Sequence, residues 1–216
     1  MDTKKTGNEV LIFKNIAEKE MLMYQAVIDM VQEDWDINGI TVSDITKRAG
    51  IGKGTAYEYF SSKEEIIVKA LLYDTYIHIK EIETLLSSDK NYSDKFNQIL
   101  DYLEENIGQT KGIGNLLKLF MGAYDISGSI RTEFNRIHEE IVCPAGYLEK
   151  MIDAFMLQGY EEGIYAESNV ICRRSVFATQ MTGYIYCIFN HYYNGGISRE
   201  EARTLTYKNT VKLLNP

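Results

Sequence analysis

The stretch from Thr41 to Glu65, TVSDITKRAGIGKGTAYEYFSSKEE, constrains the fold of this 216-residue chain more than any other part of it. Thr41 and Asp44 have the spacing of a capping box, which predicts the start of a helix. Gly50 suits the left-handed residue that follows a helix end, and only a tight turn fits after it. A second, short helix is expected from Lys53 to about residue 60. Two short helices joined by a glycine turn form a helix-turn-helix, whose second helix enters the major groove of DNA.

The second helix of this pair carries side chains suited to DNA. Lys53 lies in its first turn, where backbone N–H groups and the helix dipole favour phosphate. Gly54 has no side chain, so the backbone there can approach a base edge or a phosphate closely. Hydroxyl groups follow at Thr55, Tyr57 and Tyr59. A helical hairpin with ordinary surface lysines is the alternative. The Thr41–Asp44 capping box, a second predicted capping box at Ser62 and Glu65 for the next helix, the short turn and the clustered donors argue against it.

The segment TVSDITKRAGIGKGTAYEYFSSKEEII resembles the DNA-binding segment of the TetR family of bacterial transcriptional regulators, over about residues 26–72. The resemblance implies a DNA-binding unit of three helices, followed by a fourth helix that links it to the rest of the chain. This segment would form the second and third helices and the start of the fourth. It also implies a C-terminal domain that dimerises and binds a small effector. Phe60 would pack the recognition helix inward. The DNA contacts that the resemblance implies are Thr41, Ser43, Lys53, Gly54, Thr55, Tyr57, Tyr59 and Lys63.

Three positions depart from the family pattern. Gly52 stands where a serine is frequent, Glu58 places an acid on the recognition helix, and Ser61 replaces a frequent lysine. These departures leave the docking mode unchanged, and we expect them to affect the affinity and the preferred DNA sequence.

The charge distribution fits a protein that touches DNA at one edge. The net charge is −8, which argues against broad non-specific binding of nucleic acid. Between residues 41 and 63, however, four cationic side chains outnumber two acidic ones: Lys47, Arg48, Lys53 and Lys63 against Asp44 and Glu58. We therefore expect DNA binding to weaken strongly as salt increases.

The rest of the chain is predicted to be helical. Only two prolines occur, strand-like alternation is scarce, and apolar residues recur every three or four positions. The predicted helices cover residues 8–35, 63–86, 93–108, 115–124, 129–159 with a break near Pro144, 169–191, and a last helix capped by Ser198. The predicted fold class is all-α, with an N-terminal three-helix helix-turn-helix DNA-binding domain over residues 1–72. A C-terminal helical domain for ligand binding and dimerisation would cover residues 73–216.

The last two helices are the candidates for assembly. Small residues at Ala178, Thr182 and Gly183 would let another helix approach closely. The pattern alone allows either a dimer face or plain core, whereas the resemblance implies a four-helix bundle formed with a second copy. A helix-turn-helix protein that binds a palindrome also needs two copies. The predicted interface residues are Arg174, Met181, Ile185, Ile188, Tyr192 and Leu205.

An unusual number of aromatic residues suggests an effector cavity. The chain has 16 tyrosines, many of them beyond residue 90. They would line an apolar cavity with a few polar groups, although core packing is the better explanation for any single one of them. The predicted ligand-binding residues are Tyr102, Phe120, Tyr124, Phe134, Tyr147, Met151, Phe155, Phe177, Met181 and Tyr184.

Signals for catalysis, metals and cofactors are weak, so we predict no enzyme activity, no metal and no cofactor. His138-Glu139-Glu140 lacks the second histidine of a zinc-protease helix, and Cys187 with His191 supplies only two ligands. The three cysteines form no CxxC pair, which favours reduced thiols. No signal peptide and no membrane-spanning run of apolar residues is recognisable, so a cytoplasmic location is expected.

These features favour a TetR-type transcriptional regulator that binds palindromic operator DNA as a homodimer and is released by a small ligand. Two alternatives remain at the level of sequence. One is a helical enzyme that carries a helix-turn-helix, and the other is a DNA-binding protein without an effector.

Overall fold

The computed structural model describes residues 13, 15–107, 127–140, 144–194 and 196–215. All regular secondary structure among these residues is helical, which confirms the predicted fold class. The helices are α1 (Glu18–Gln32), α2 (Val42–Ala49), α3 (Lys53–Tyr59), α4 (Lys63–Leu86), α5 (Tyr92–Ile107), α6 (Gly128–Glu140), α7 (Pro144–Glu161), α8 (Val170–Asn194) and α9 (Arg199–Leu213). None of the described helices is both long enough and apolar enough to cross a membrane.

The chain divides into two compact units, one of Met1–His78 with Gly112–Pro144 and one of Ile79–Lys111 with Ala145–Pro216. Helix α4 runs through the division, and α6 belongs to the first unit. The domain boundary predicted after residue 72 stays a proposal.

The first unit is built on an apolar core shared by α1, α2, α3, the start of α4 and α6. Met23, Ile45 and Ile67 are fully buried in it. Helix α6 joins the same core through Ile130 and Ile137, which are 1% and 2% exposed. These apolar contacts hold α6 in the first unit even though it lies far along the chain.

Helix α1 is shorter than the apolar spacing predicts. A helix was expected from residue 8, but α1 begins at Glu18, and Ile16 and Ala17 precede it in non-helical conformations. The Glu20 carboxylate accepts a hydrogen bond from the Ala17 N–H at 3.0 Å, which satisfies a free donor at the helix start. Residues 1–12 and 14 lie outside the described residues.

The second unit has an aromatic core. The ring of Tyr92 stacks on Phe155 with centroids 4.7 Å apart, and Phe96 meets Phe177 and Tyr207 edge-on at 6.0 and 5.1 Å. Helix α7 begins at Pro144, as the predicted break requires, and Ser198 caps α9 with Glu201 as predicted. The helix predicted over residues 115–124 lies outside the described residues.

Candidate nucleic-acid interface

Helix α2 begins and ends as its sequence predicts. The Asp44 N–H donates to the Thr41 hydroxyl at 3.2 Å, while the Thr41 N–H and hydroxyl donate to the Asp44 carboxylate at 3.0 and 2.6 Å. These hydrogen bonds from Thr41 lower the pKa of Asp44 below its ordinary value. Gly50 follows the helix with φ of 68°, a left-handed conformation that favours glycine. The capped helix is therefore fixed at both ends.

The apolar face of α2 determines which of its side chains reach solvent. Val42 and Ile45 are buried at 8% and 0% exposure, on the side that packs against α1. Ser43 and Lys47 lie on the other side and are exposed.

Helix α3 is anchored by two residues and is otherwise open to solvent. Ala56, 1% exposed, is the one fully buried residue within it. Phe60 ends the helix in an extended conformation and is 3% exposed, with its ring centroid 5.8 Å from that of Tyr24. The predicted inward packing of Phe60 is thus confirmed. Between these anchors, Tyr57 is 55% exposed and Lys53 is also exposed.

An open groove runs between the start of α2, helix α3 and the start of α4. It brings together five of the eight predicted DNA contacts: Thr41, Ser43, Lys53, Tyr57 and Lys63. The other three do not line it. Gly54 is exposed on α3, Thr55 is partly exposed, and Tyr59 is 36% exposed beside Phe60.

Sequence reasoning missed four groove residues as candidates, and one of them is Val42, the first residue of α2. Ser61, Ser62 and Glu64 line the groove just before and within the first turn of α4. The predicted cap is present in part, because the Glu65 N–H donates to the Ser62 hydroxyl at 3.1 Å. The Glu65 carboxylate, however, accepts from the N–H and hydroxyl of Ser61, both at 2.8 Å. The spacing of Ser62 and Glu65, which is that of a capping box, was the sequence signal that Ser61, Ser62 and Glu64 lie at a helix start.

Two of the four local cations are already engaged within the protein. Arg48 donates to Glu33 at 2.7 Å and lies 3.9 Å from Asp29. The Lys63 ammonium donates to the backbone carbonyls of residues 38 and 40, at 2.9 and 3.2 Å. Lys47 and Lys53 are exposed and make no hydrogen bond or ion pair within the described residues. Among these four cations, therefore, Lys47 and Lys53 are the ones whose hydrogen-bond donors are all available to a phosphate.

The predicted ligand-binding residues do not form one group. Phe120 and Tyr124 lie outside the described residues, and Phe134 packs against the core of the first unit. In the second unit, Tyr102 donates its hydroxyl to Glu81 at 2.6 Å. Tyr147 and Tyr184 donate theirs to Glu83 and Glu104.

A small cavity in the second unit is lined by two of the predicted ligand-binding residues, Met151 and Phe155. Its volume is about 190 Å³, and the other lining residues are Glu83, Leu86, Ser87, Ala154 and Gln158. Phe177 and Met181 are buried at 5% and 7% exposure and do not line it.

The predicted dimer-interface residues differ in accessibility. Met181 and Ile185 are buried within the unit, at 7% and 8% exposure, and Ile188 is partly buried. Arg174 donates to Asp153 at 2.7 Å and to Glu149 at 3.1 Å. Leu205 is 47% exposed, and the Tyr192 side chain lies outside the described part of the chain. The side of α8 that faces solvent is therefore not the side on which Met181 and Ile185 were predicted to form a dimer interface.

Metal binding finds no support in the part of the chain that the structure describes, where no three His, Cys, Asp or Glu side chains are grouped as ligands. The side chains of His138 and His191 lie outside that part.

Comparison with known proteins identifies the helix-turn-helix. Residues 35–70 match the family described as bacterial regulatory proteins, tetR family. The uncharacterized HTH-type transcriptional regulator YxbF of Bacillus subtilis (strain 168) is 24% identical over 179 residues. That match covers 76% of this chain, which spans only 45% of the length of the relative.

Solved structures share the fold. A TetR transcription regulator from Haloarcula marismortui superposes with a TM-score of 0.65 at 16% identity, covering 93% of this chain and 100% of the other. The regulator FadR from Bacillus subtilis, solved in complex with stearoyl-CoA, gives a TM-score of 0.57 at 20% identity, covering 90% and 97%. These relatives are regulators of transcription and not enzymes. Residues 35–70 thus match the helix-turn-helix of the TetR family, and the chain shares its fold with solved transcription regulators.

Proposed function

We propose that the chain is a repressor that binds palindromic operator DNA as a homodimer and leaves it when a small effector binds. The observation that carries the DNA-binding part is the groove beside α3, with the exposed Lys53 and Tyr57 on one wall and Thr41 and Ser43 on the other. Phosphate contacts from such groups fix the register, while one or two side chains read base edges. Binding of genomic DNA also implies a cytoplasmic location.

Selection from a pool of random duplexes tests this proposal without knowledge of the operator. We expect the protein to enrich a sequence with two inverted half-sites about one DNA turn apart. Affinity for the selected duplex should fall steeply as salt rises from about 50 to 200 mM. Enrichment of a single unrepeated site, or of nothing, would contradict the proposal.

The surface proposed for the dimer is the exposed side of α8. Ile171 and Tyr186 are 67% and 60% exposed at its two ends. Small or short residues lie between them on the same face, and all are exposed: Ser175, Ala178, Thr179, Thr182 and Gly183. A Cβ added at Gly183 would meet nothing within 4 Å, so a second helix has room to approach. Such a face suits a twofold helix pair, which places the same residues on both sides.

Replacing Thr182 with Arg tests the dimer. The substitution puts a long charged side chain on the proposed contact, and we expect the sedimenting mass to fall from dimer to monomer. Thr132→Arg is the matched control. Both threonines are exposed, and each donates its hydroxyl to the carbonyl four residues earlier at 2.8 Å, but Thr132 lies on α6. A dimeric Thr182→Arg protein would exclude this face.

The effector is proposed to bind in the C-terminal domain of residues 73–216, where the cavity of about 190 Å³ lined by Met151 and Phe155 could hold only part of a long ligand and would have to widen for the rest. A TetR-fold relative, the FadR regulator from Bacillus subtilis, is described in complex with stearoyl-CoA, so long-chain acyl-CoA is a first probe. Stearoyl-CoA should raise the melting temperature and release the selected duplex. If stearoyl-CoA raises the melting temperature but does not release the duplex, the protein binds the ligand without being a repressor that the ligand releases. If neither stearoyl-CoA nor a broad metabolite panel changes either quantity, the alternative without an effector holds.

A further inference from the structure

The turn between α1 and α2 holds the helix-turn-helix in place. Ile37 and Ile40 are buried at 3% and 0% exposure, which anchors the turn in the core of the first unit. Within the turn, the Gly39 N–H donates to the carbonyl of Asp36 at 2.9 Å, and the Asn38 N–H donates to the Asp36 carboxylate at 3.1 Å. Helix α2 starts directly after this turn, so the position of the turn sets the position of α2 and, through it, of α3.

Lys63, the first residue of α4, is bound to this turn. Its ammonium donates to the Asn38 carbonyl at 2.9 Å and to the Ile40 carbonyl at 3.2 Å, and the residue is half-buried. Two of its three N–H donors are therefore used inside the protein. A DNA phosphate would have to compete for the ammonium group with these two carbonyls, and drawing the side chain away would leave both carbonyls without their donor. Lys53 faces no such cost, since it is exposed and makes no hydrogen bond or ion pair within the described residues.

The same turn is also joined to the start of α6. The side-chain oxygen of Asn38 accepts the Ser127 N–H at 2.7 Å, so Asn38 binds Lys63 through its backbone and Ser127 through its side chain. The Ser129 hydroxyl donates to the carboxylate of Glu64, the neighbour of Lys63, at 3.3 Å. The turn, the first residues of α4 and the first residues of α6 thus meet at one place.

We propose that Lys63 is a positioning residue for the helix-turn-helix and not a phosphate contact. Its ammonium fixes the carbonyls of Asn38 and Ile40, and this holds α2 and α3 at the orientation that the groove presents to DNA. The inference rests on the proposed DNA-binding function, and it reassigns one of the eight DNA contacts that the family resemblance implies.

Salt dependence separates the two roles. Three Lys→Met variants keep the length of the side chain and remove its charge: Lys63→Met, Lys53→Met and, as a control on α1, Lys19→Met, whose lysine is exposed. Each is titrated with the duplex that the wild type selects from a random pool, over a range of salt. The temperature is one at which circular dichroism shows all four proteins folded.

We expect Lys53→Met to weaken binding and to make the slope of log K against log salt shallower by about 0.9 for each lysine lost. We expect Lys63→Met to weaken binding at least as much and to leave the slope at the wild-type value, because no phosphate contact is lost. Lys19→Met should match the wild type. A slope for Lys63→Met as shallow as that for Lys53→Met overturns the inference and leaves the proposed function intact. Unchanged binding for Lys63→Met alone also overturns it. Unchanged binding for both variants overturns the proposed DNA surface instead.

Acetylation of the wild-type protein gives a test that does not depend on how the variants fold. Acetic anhydride is added to the free protein and to its complex with the selected duplex, and each lysine is quantified by mass spectrometry. We expect Lys63 to react slowly in both samples, and Lys53 to react quickly when free and slowly with DNA. If Lys63 reacts as quickly as Lys53 in the free protein and is protected only by DNA, it is a phosphate contact.

Discussion

The groove beside α3 and the cluster around Glu104 are built from the same kinds of side chains, but they differ in how many of their hydrogen bonds are already made. We call Glu104, Tyr184, Arg199 and Arg203 the Glu104 cluster. Its carboxylate is 5% exposed and accepts from the Tyr184 hydroxyl, from Arg199, and from Arg203 at 3.0 Å. In the groove, by contrast, Lys53 is exposed and makes no hydrogen bond or ion pair within the described residues.

Burial and existing hydrogen bonds distinguish polar groups that stabilise the fold from polar groups that are available to bind another molecule. A buried carboxylate must be hydrogen-bonded, because leaving it unpaired costs several kcal/mol. An exposed lysine keeps its hydration and is free to exchange water for phosphate. Substitutions in the Glu104 cluster should therefore change stability, whereas substitutions in the groove should change DNA binding and leave stability alone.

The largest effect on stability is expected for Glu104→Ala. The variant loses three charge-assisted hydrogen bonds, but Arg199 and Arg203 are 63% and 22% exposed and can turn to water. We therefore expect the free energy of unfolding to fall by about 3 kcal/mol. Urea unfolding at one protein concentration measures it. Glu105→Ala, at an exposed neighbouring position, should change stability by less than about 0.5 kcal/mol. Equal effects of the two variants would show that the cluster does not stabilise the fold.

A smaller effect on stability is expected when the pH is lowered. Burial raises the pKa of Glu104, but the hydrogen bonds from Arg199 and Tyr184 outweigh burial and set that pKa below its ordinary value. A carboxyl with a lowered pKa contributes stability above its unfolded pKa, about 4.3, and loses it as pH falls through the folded pKa. The stability gap between wild type and Glu104→Gln should thus shrink below about pH 4.3. A gap that stays constant down to the acid transition would refute this.

Tyr184→Phe should cost less, because it removes one donor and leaves the two arginines. We expect the free energy of unfolding to drop by about 1 kcal/mol. Tyr57→Phe, at a tyrosine of α3 that is 55% exposed, serves as the control and should be close to neutral for stability. A Tyr184→Phe protein as stable as this control would mean that the buried hydroxyl contributes nothing.

The smallest change in stability is expected in the groove. Tyr57 is 55% exposed on α3, so Tyr57→Ala should alter the free energy of unfolding by less than about 0.5 kcal/mol. Its affinity for the selected duplex should nevertheless fall clearly in a gel-retardation titration. A variant that loses stability and keeps its affinity would reverse the comparison between the two regions.

Local signals explain how much could be predicted from the sequence. Two helix starts are indicated by capping boxes, whose residues are only three positions apart: Thr41 with Asp44, and Ser198 with Glu201. Gly50 and Pro144 mark a helix end and a helix start for reasons of backbone conformation alone. These signals were enough for the helix-turn-helix and for most helix boundaries.

Long-range contacts explain what could not be predicted. The donors to Glu104 lie 80 to 99 residues away in sequence, and the carbonyls bound by Lys63 lie 25 and 23 residues before it. Periodicity could not show that Met181 and Ile185 face the core of their own unit, because a dimer face and a core face have the same apolar spacing. The start of α1 was misplaced for a similar reason, since the apolar spacing continues through Ile16, which packs against the core but precedes the helix.

Gly54→Glu tests most directly whether the surface of α3 binds DNA. A Cβ at Gly54 would meet nothing within 4 Å, so the larger side chain fits, and replacing a helical glycine favours folding by up to about 1 kcal/mol. The new carboxylate would face the phosphates of a docked duplex. We predict a protein at least as stable as the wild type that no longer retards the selected duplex, while Gly54→Ala keeps more of the affinity. A folded Gly54→Glu protein with wild-type affinity would contradict the account.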